Sequence, residues 1–232
     1  MKFKLQNPLT TNERLQISKA GVHDGRGSLS SIINNASCAK YGLDFSPDSI
    51  LMSADFLTAV FNSIIDLQHS EVIVSEEDSI YLQESSQQIA SLCEHNYRTE
   101  IDVVKKGDVP EKIITNPHLL PVVLKTLVSN AFYRGNSSNI WIELEKSSFP
   151  QDSLYVPSGA ESYDNFLGFH VCDGGRGFFR NKIQIPKRAP KGHGFGLYFT
   201  GLVAKCLRAP VDIQSEKGNT RVSFYHPLYL EK

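Results

Sequence analysis

Two stripes of apolar side chains at helical spacing occupy the first seventy residues, and they constrain the fold more than any other feature. The first stripe runs from about Thr10 to Ala39, with Thr10 or Thr11 as the candidate N-cap and Glu13 in the first turn. Turn-forming residues at 41–48 separate it from the second stripe, so the two helices are expected to lie antiparallel. Two helices alone seldom bury both stripes. The pattern therefore predicts a four-helix bundle in a symmetric dimer, and packing against the downstream domain is the alternative. The second stripe consists of Phe56, Leu57, Val60, Phe61, Ile64, Ile65 and Leu67.

Charge and cysteine content exclude several classes of protein. The formal net charge of −1 over 232 residues gives no broad surface for nucleic acid. The four cysteines are scattered and form no CxxC pair, which argues against a metal framework or a disulfide framework. The apolar runs are judged too short to span a bilayer. We therefore expect a cytoplasmic protein with reduced thiols, no nucleic-acid partner and no membrane segment in this chain.

Beyond residue 72 the pattern alternates helices and strands without a regular βαβ order, which predicts a mixed-sheet α/β sandwich. We divide the chain into a helical hairpin at 1–72 and an α/β domain at 73–232, with an acidic linker at 71–77. An exposed excursion is expected at 147–165. Helices are predicted at 78–94, 117–132 and 195–207, and strands at 98–104, 112–115, 140–144, 167–171, 211–215 and 221–225.

An asparagine near the end of a helix and an aspartate at the end of a strand are the first polar candidates. The amide oxygen of Asn130 suits a hard cation such as Mg²⁺ held against phosphates; an asparagine that bonds within its own helix is the alternative. Asp173 is followed by Gly175 and Gly177, which let the backbone turn sharply and approach a ligand. Its carboxylate can accept a hydrogen bond from an exocyclic amine, whereas a plain β-turn is the alternative.

Three alternating glycines, Gly192, Gly194 and Gly196, accompany the start of the helix predicted at 195–207. Such a stretch exposes backbone N–H groups at a helix N-terminus, where phosphates bind favourably. It is neither a Rossmann fingerprint nor a Walker loop, because no strand leads into it and the GK[ST] signature is missing.

His23 and Asp24 stand side by side within the first helical pattern. A histidine beside an acid on a helix is commonly a solvated surface pair. Neutral imidazole is also a competent nucleophile near neutral pH, and the neighbouring carboxylate can hold its other ring nitrogen.

In this order, the stretches resemble the motifs of bacterial two-component histidine kinases, within the wider GHKL-type ATPases. The resemblance covers nearly the whole chain after the first ten residues. It implies an α+β protein in which a dimeric four-helix bundle precedes a GHKL (Bergerat) α/β sandwich. The matches are His23 in the H box, Asn130 in the N box, Asp173, Gly175 and Gly177 in the G1 box, Gly192, Gly194, Gly196 and Leu197 in the G2 box, and Thr220 in the last motif.

The resemblance also implies roles. ATP with Mg²⁺ is the expected cofactor, with Asp173 on the adenine amino group, Asn130 on the metal and the glycines on the phosphates. Arg134 and Leu197 are expected at the nucleotide, Thr220 as a supporting residue, and the stretch between Gly177 and Gly192 as a lid. His23 is the expected phosphoacceptor, assisted by Asp24. The implied partners are a second copy of the chain, a response-regulator receiver domain and an upstream sensor.

Departures from the family pattern leave two alternatives open. Thr126 and Tyr133 stand where relatives often have asparagine and lysine, and Gly27 replaces the usual threonine or asparagine. We expect these changes to weaken kinase activity and to leave little phosphatase activity toward the partner. The alternatives are a histidine phosphotransferase adaptor with a degenerate ATP site and a GHKL nucleotide-binding module that is not a kinase.

Overall fold

A computed structural model of the chain provides the architecture. It describes residues 2–6, 9–11, 13–14, 29–30, 32–34, 36–40, 47–69, 71–75, 79–135, 137, 139–177, 185–186 and 195–229. The named helices are α1 (Pro47–Gln68), α2 (Leu82–Tyr97), α3 (Leu119–Asn130) and α4 (Phe195–Leu207). The strands are β1 (Lys2–Gln6), β2 (Glu71–Ser75), β3 (Ile80–Tyr81), β4 (Ile101–Lys106), β5 (Lys112–Ile113), β6 (Ile140–Ser148), β7 (Asn165–Asp173), β8 (Val211–Glu216) and β9 (Asn219–Pro227).

A five-stranded sheet in the order β4-β6-β7-β9-β8 forms the centre of the fold. β4 pairs parallel with β6, and the other neighbours are antiparallel. Alternate residues face the helices, so Ile142, Val171, Val222 and Ile213 form one buried row across four strands. Helix α2 contacts β4, α3 contacts β7 and α4 contacts β9. The predicted fold class, a helical segment followed by a mixed α/β sandwich, is confirmed.

The second apolar stripe divides between two environments. Phe56, Val60 and Leu67 of α1 are buried, and α1 packs against α2 and α3. Phe61 and Ile65 remain 51% and 54% exposed. One side of α1 is therefore buried against the downstream domain, and the side that carries Phe61 and Ile65 is exposed. Among the described residues of 29–40, those assigned to secondary structure are helical, as predicted.

Part of α1 also meets the length and composition of a membrane span. Its segment Ile50–Gln68 has 19 residues and a mean hydropathy of 1.5. By that measure the prediction that no apolar run is long enough is wrong. A mostly buried core helix of a soluble protein passes the same test, but only 28% of this segment is buried, on the side that packs against α2 and α3.

The predicted linker at 71–77 is wrong over Glu71–Ser75, which forms β2. β2 pairs antiparallel with β1, and the predicted domain boundary at 72/73 falls inside this strand. Val72 and Val74 are fully buried, and Leu5 of β1 is 4% exposed. Their alternation is short and its partner strand lies far away in sequence, so local patterns gave no sign of the pairing.

Two further predictions require smaller corrections. The helix predicted to start at 78 starts at Leu82, because Ile80–Tyr81 pairs with β5. The excursion predicted at 147–165 is anchored rather than fully exposed. Ala160 is completely buried, and Tyr155 exchanges backbone hydrogen bonds of 2.8 and 2.9 Å with Val211.

Candidate functional site

A recess opens where the C-terminal end of α3 meets the ends of β7 and β9. Four of the predicted site residues, Asn130, Asp173, Gly177 and Thr220, line it together, although they lie far apart in the sequence. The rest of the lining is Leu127, Ala131, Gly135, Val171 and Val222.

Asp173 ends β7 with its side chain on the helix-covered face of the sheet. Asp173 is 3% exposed, and its Oδ1 accepts a hydrogen bond of 2.8 Å from the Gly175 backbone N–H. Burial raises the pKa of the carboxyl group, and the Gly175 N–H partly opposes this shift. The preceding Cys172 faces the opposite side of the sheet, as strand alternation requires.

Three glycines near Asp173 have no room for a side chain, and two of them, Gly135 and Gly175, pack against its carboxylate. A Cβ on Gly135 would lie 2.6 Å from Asp173 Oδ1, and one on Gly175 would lie 2.2 Å from the Gly135 carbonyl oxygen. Gly177 has a φ of +75° and faces the Glu216 backbone. Sequence analysis predicted Gly175 and Gly177 but missed Gly135, because nothing in the local sequence shows that Gly135 will meet the end of β7.

Asn130 is the last residue of α3 and precedes a π-helical turn, Ala131–Gly135. Its Nδ2 is buried with no hydrogen-bond partner among the described residues. A Cβ on Gly196 would lie 2.6 Å from this nitrogen, so α4 begins directly against the amide. The amide oxygen Oδ1 of Asn130 would lie 2.8 Å from the same Cβ, so both atoms of the amide face the first turn of α4.

A magnesium ion at this recess would have to take most of its ligands from a bound nucleotide and from water. The described residues contain no group of three or more His, Cys, Asp or Glu side chains able to hold a metal. Mg²⁺ commonly takes one or two protein ligands and completes its shell with phosphate oxygens and water. Asn130 is the residue of the recess lining whose amide oxygen would serve as such a ligand.

Thr220 supports the floor of the recess. It is 2% exposed, lies opposite Asp173 in the register of β7 and β9, and its hydroxyl lies 3.0 Å from Ser215 Oγ. Leu197, in the first turn of α4, is half-buried. Thr126, one turn before Asn130, is buried, and its Oγ1 has no partner in the described structure.

Tyr133 belongs to an aromatic cluster beside the recess. It is 67% exposed and meets the rings of Tyr97 and Phe132 edge-on. Arg134 follows in the π-helical turn, and its side chain lies outside the described part. His23, Asp24, Gly192, Gly194 and most of the expected lid also lie outside the described residues, so their roles stay predictions.

A second cavity lies on the other face of the sheet and contains none of the predicted residues. Trp141, Cys172 and Arg221 line it. Its charges are largely paired, with Lys106 at 2.8 Å from Glu143 and Arg221 bridging to the glutamates of β6. The candidate site is therefore the recess on the helix-covered face.

Comparison with known proteins relates the chain to one class. No family model matches it. Over 186 residues it is 24% identical to the signal transduction histidine-protein kinase BarA of Escherichia coli K12, covering 77% of this chain and 20% of BarA. The chain thus spans about a fifth of the length of the curated relative it matches.

Solved structures of similar architecture include the histidine kinase AdeS of Acinetobacter baumannii, with a TM-score of 0.49 and 11% identity over 89% of this chain and 98% of AdeS. The ATP binding domain of PrrB from Mycobacterium tuberculosis gives a TM-score of 0.47 and 16% identity over 64% of this chain and 95% of that domain. The chain is related to the histidine kinase core, a helical segment followed by a GHKL-type α/β sandwich. The resemblance identified from the sequence is confirmed.

Proposed function

We propose that the chain is a histidine kinase core that binds ATP with Mg²⁺, phosphorylates itself on His23 and passes the phosphoryl group to an aspartate of a response-regulator receiver domain. One observation carries the proposal. The recess brings Asn130, Asp173, Gly177 and Thr220 together, and the first turn of α4 packs against Asn130, which supports an ATP site here.

The base-binding end of the site is Asp173. Its Oδ1 is occupied by the Gly175 N–H, whereas Oδ2 accepts no hydrogen bond from any described residue. Oδ2 can therefore accept a hydrogen bond from the exocyclic amine of adenine. Hydrogen bonds to charged groups contribute roughly 1.5–3 kcal/mol, so this contact is enough to favour adenine over a base without the amine.

The phosphate-binding end is the start of α4. Backbone N–H groups at a helix N-terminus attract anions, and Gly196 brings this end against the Asn130 amide. Asn130 would hold Mg²⁺, which supplies charge neutralisation at the phosphates when it is bound.

Phosphoryl transfer then requires a nucleophile from the hairpin. A ring nitrogen of His23 attacks the γ-phosphorus in line, the N–P bond forms, the bond to the β,γ-bridging oxygen breaks and ADP leaves. Asp24 takes the proton from the other ring nitrogen or holds it by a hydrogen bond. The receiver carboxylate then takes the phosphoryl group from the phosphoramidate, the N–P bond breaks, and the ring keeps its proton or regains it from Asp24, which restores neutral imidazole.

The uncovered side of the hairpin supports a homodimer. Leu51, Phe61 and Ile65 of α1 are 51–62% exposed, and Leu29 and Ile33 of the first helix are 46% and 54% exposed. Apolar residues at helical spacing on both helices suit a four-helix bundle with a second copy. We further propose a cytoplasmic location, which the four free thiols support, and an input delivered by an upstream sensor.

Labelled ATP tests the proposal directly. With [γ-³²P]ATP and Mg²⁺, the chain should acquire a label that is stable to alkali and labile to acid, and His23→Gln should abolish it. Thr126 and Tyr133 raise the adaptor alternative, in which the wild-type chain binds no nucleotide. Nucleotide binding without any label in the wild-type chain would refute the kinase and leave a nucleotide-binding module.

A further inference from the structure

The segment before the first helix and the first turn of that helix together form an element that we call the N-terminal strap (described residues 2–6, 9–11 and 13–14). Its strand β1 pairs with β2 along the full length of both, from Lys2 opposite Ser75 to Gln6 opposite Glu71. Leu5 and Leu9 are 4% and 5% exposed and belong to the hydrophobic core. β1 also contacts α4.

The strap closes the base of the helical hairpin. β1 precedes the first helix and β2 follows α1, so their pairing joins the two ends of the hairpin. Arg14 and Gln68 strengthen this closure reciprocally. Arg14 Nη1 donates to the Gln68 carbonyl at 2.8 Å, and Gln68 Nε2 donates to the Arg14 carbonyl at 3.0 Å.

Glu13 ties this base to the helix of the candidate site. Lys205 Nζ, in the last turn of α4, lies 3.2 and 3.4 Å from the two carboxylate oxygens of Glu13. The same carboxylate accepts a 2.7 Å hydrogen bond from the Thr10 N–H, while the Glu13 N–H donates to Thr10 Oγ1 at 3.2 Å. This reciprocal pair of hydrogen bonds is a capping box. The Glu13 side chain therefore caps the first helix and also forms an ion pair with α4.

The Glu13–Lys205 ion pair lies far from the recess. Gly196, in the first turn of α4, abuts Asn130, whereas Lys205 stands nine residues later, about 14 Å along the helix at 1.5 Å per residue. Changes at the strap can therefore move the hairpin relative to α4 without altering the side chains that line the recess.

The proposed chemistry demands such movement. His23 must contact the γ-phosphate of ATP first and a receiver carboxylate afterwards. The nucleotide domain and the receiver domain cannot both lie against the same imidazole at the same time. The hairpin and the nucleotide domain must therefore separate during each cycle. The strap, which holds both ends of the hairpin to that domain, opposes the separation.

We propose that the N-terminal strap is an autoinhibitory latch: Glu13, Lys205 and the β1–β2 pair hold the hairpin against α4, and opening the latch accelerates phosphoryl transfer without changing ATP affinity. This inference rests on the proposed kinase function. Because β1 is the segment directly before the first helix, displacement of β1 is the point at which an upstream input would act.

Two single variants separate the ion pair from the cap. Glu13→Gln keeps an oxygen acceptor for the Thr10 N–H, since glutamine also serves in a capping box, but removes the charge. Lys205→Met leaves the cap untouched. Each should raise the autophosphorylation rate at saturating ATP by about two- to five-fold, the range expected for loss of a partly exposed ion pair. The double variant should match the singles, because they remove the same interaction.

Hydrogen exchange and a matched control complete the test. Amides of β1 and β2 should exchange faster in both variants, with unchanged affinity for a fluorescent ATP analogue. Lys106→Met, which breaks the 2.8 Å pair with Glu143 on the other face of the sheet, should leave rate and exchange as in the wild type. Rates that stay level or fall in Glu13→Gln and Lys205→Met, or rise equally in Lys106→Met, would overturn the latch. Absence of label in the wild-type chain would instead refute the kinase function.

Discussion

Replacing Gly135 with alanine should displace the carboxylate that we place at the adenine. The new Cβ would lie 2.6 Å from Asp173 Oδ1 and 3.1 Å from Cγ, closer than real contacts allow. The backbone around Gly135 is fixed by the Arg176 N–H, which donates to its carbonyl at 3.0 Å. The side chain of Asp173 must therefore give way rather than the turn.

The size of the effect follows from the bond that is lost. Movement of the carboxylate breaks its 2.8 Å hydrogen bond with the Gly175 N–H. A hydrogen bond to a charged group contributes roughly 1.5–3 kcal/mol. Returning the Asp173 carboxylate to its original position on nucleotide binding would cost a similar free energy. The Kd for ATP should therefore rise about 10- to 150-fold.

Titration of a fluorescent ATP analogue measures this change, and Gly174→Ala is the matched control. Its Cβ would meet Asn139 at 3.6 Å, an ordinary contact, although the residue is adjacent to Asp173. Wild-type affinity in Gly135→Ala would refute the role assigned to the carboxylate position. Equal losses in both variants would show that the loop is merely sensitive to any substitution.

Three further outcomes are expected. Asp173→Asn should weaken ATP binding yet raise the thermal midpoint of unfolding at neutral pH. Burial raises the pKa of this carboxyl group, so its ionised form destabilises the folded state and the neutral amide should not. A lowered midpoint would contradict the burial argument. Burial lowers the pKa of His226 from 6.5 to about 3, so its contribution to stability is complete above pH 6.5 and falls by about 1.4 kcal/mol per pH unit below it. His226→Gln should accordingly flatten the pH dependence of the urea midpoint between pH 6 and 4, roughly the window these pKa values define, and an unchanged slope would speak against a neutral buried imidazole. Phe61→Asp should convert a dimer to a monomer in light scattering, whereas Leu154→Asp, at a similarly exposed apolar residue outside the hairpin, should not; a dimer in both variants would exclude the exposed stripe as the interface.

Much of the fold was accessible from periodicity. The helix predicted at 195–207 coincides with α4, and the buried strands were located within a few residues because their apolar runs end at polar turns. The capping box at Thr10 was anticipated in part, since Thr10 and Glu13 stand at the required spacing. These features depend on neighbours in the sequence, which is why patterns reveal them.

Pairing between distant segments was not accessible in this way. The β1–β2 pair joins residues that lie about seventy positions apart, and each strand alone is too short to distinguish from a linker. Gly135 gained its importance only because the π-helical turn brings its backbone against Asp173. The division of the α1 stripe, with Phe56 buried and Phe61 exposed, likewise depends on where α3 lies.

The sequence by itself determined the class of this protein, because the order of polar and glycine-rich motifs is written along the chain and each motif needs only its own residues. The tertiary structure alone decided how those motifs meet. It joined Asn130, Asp173 and Thr220 into one recess, and it folded the N-terminal strap back onto the helix that begins at that recess. Such contacts arise from long-range packing, in which burial of Leu5, Val72 and Val74 offsets the entropy of closing a long loop.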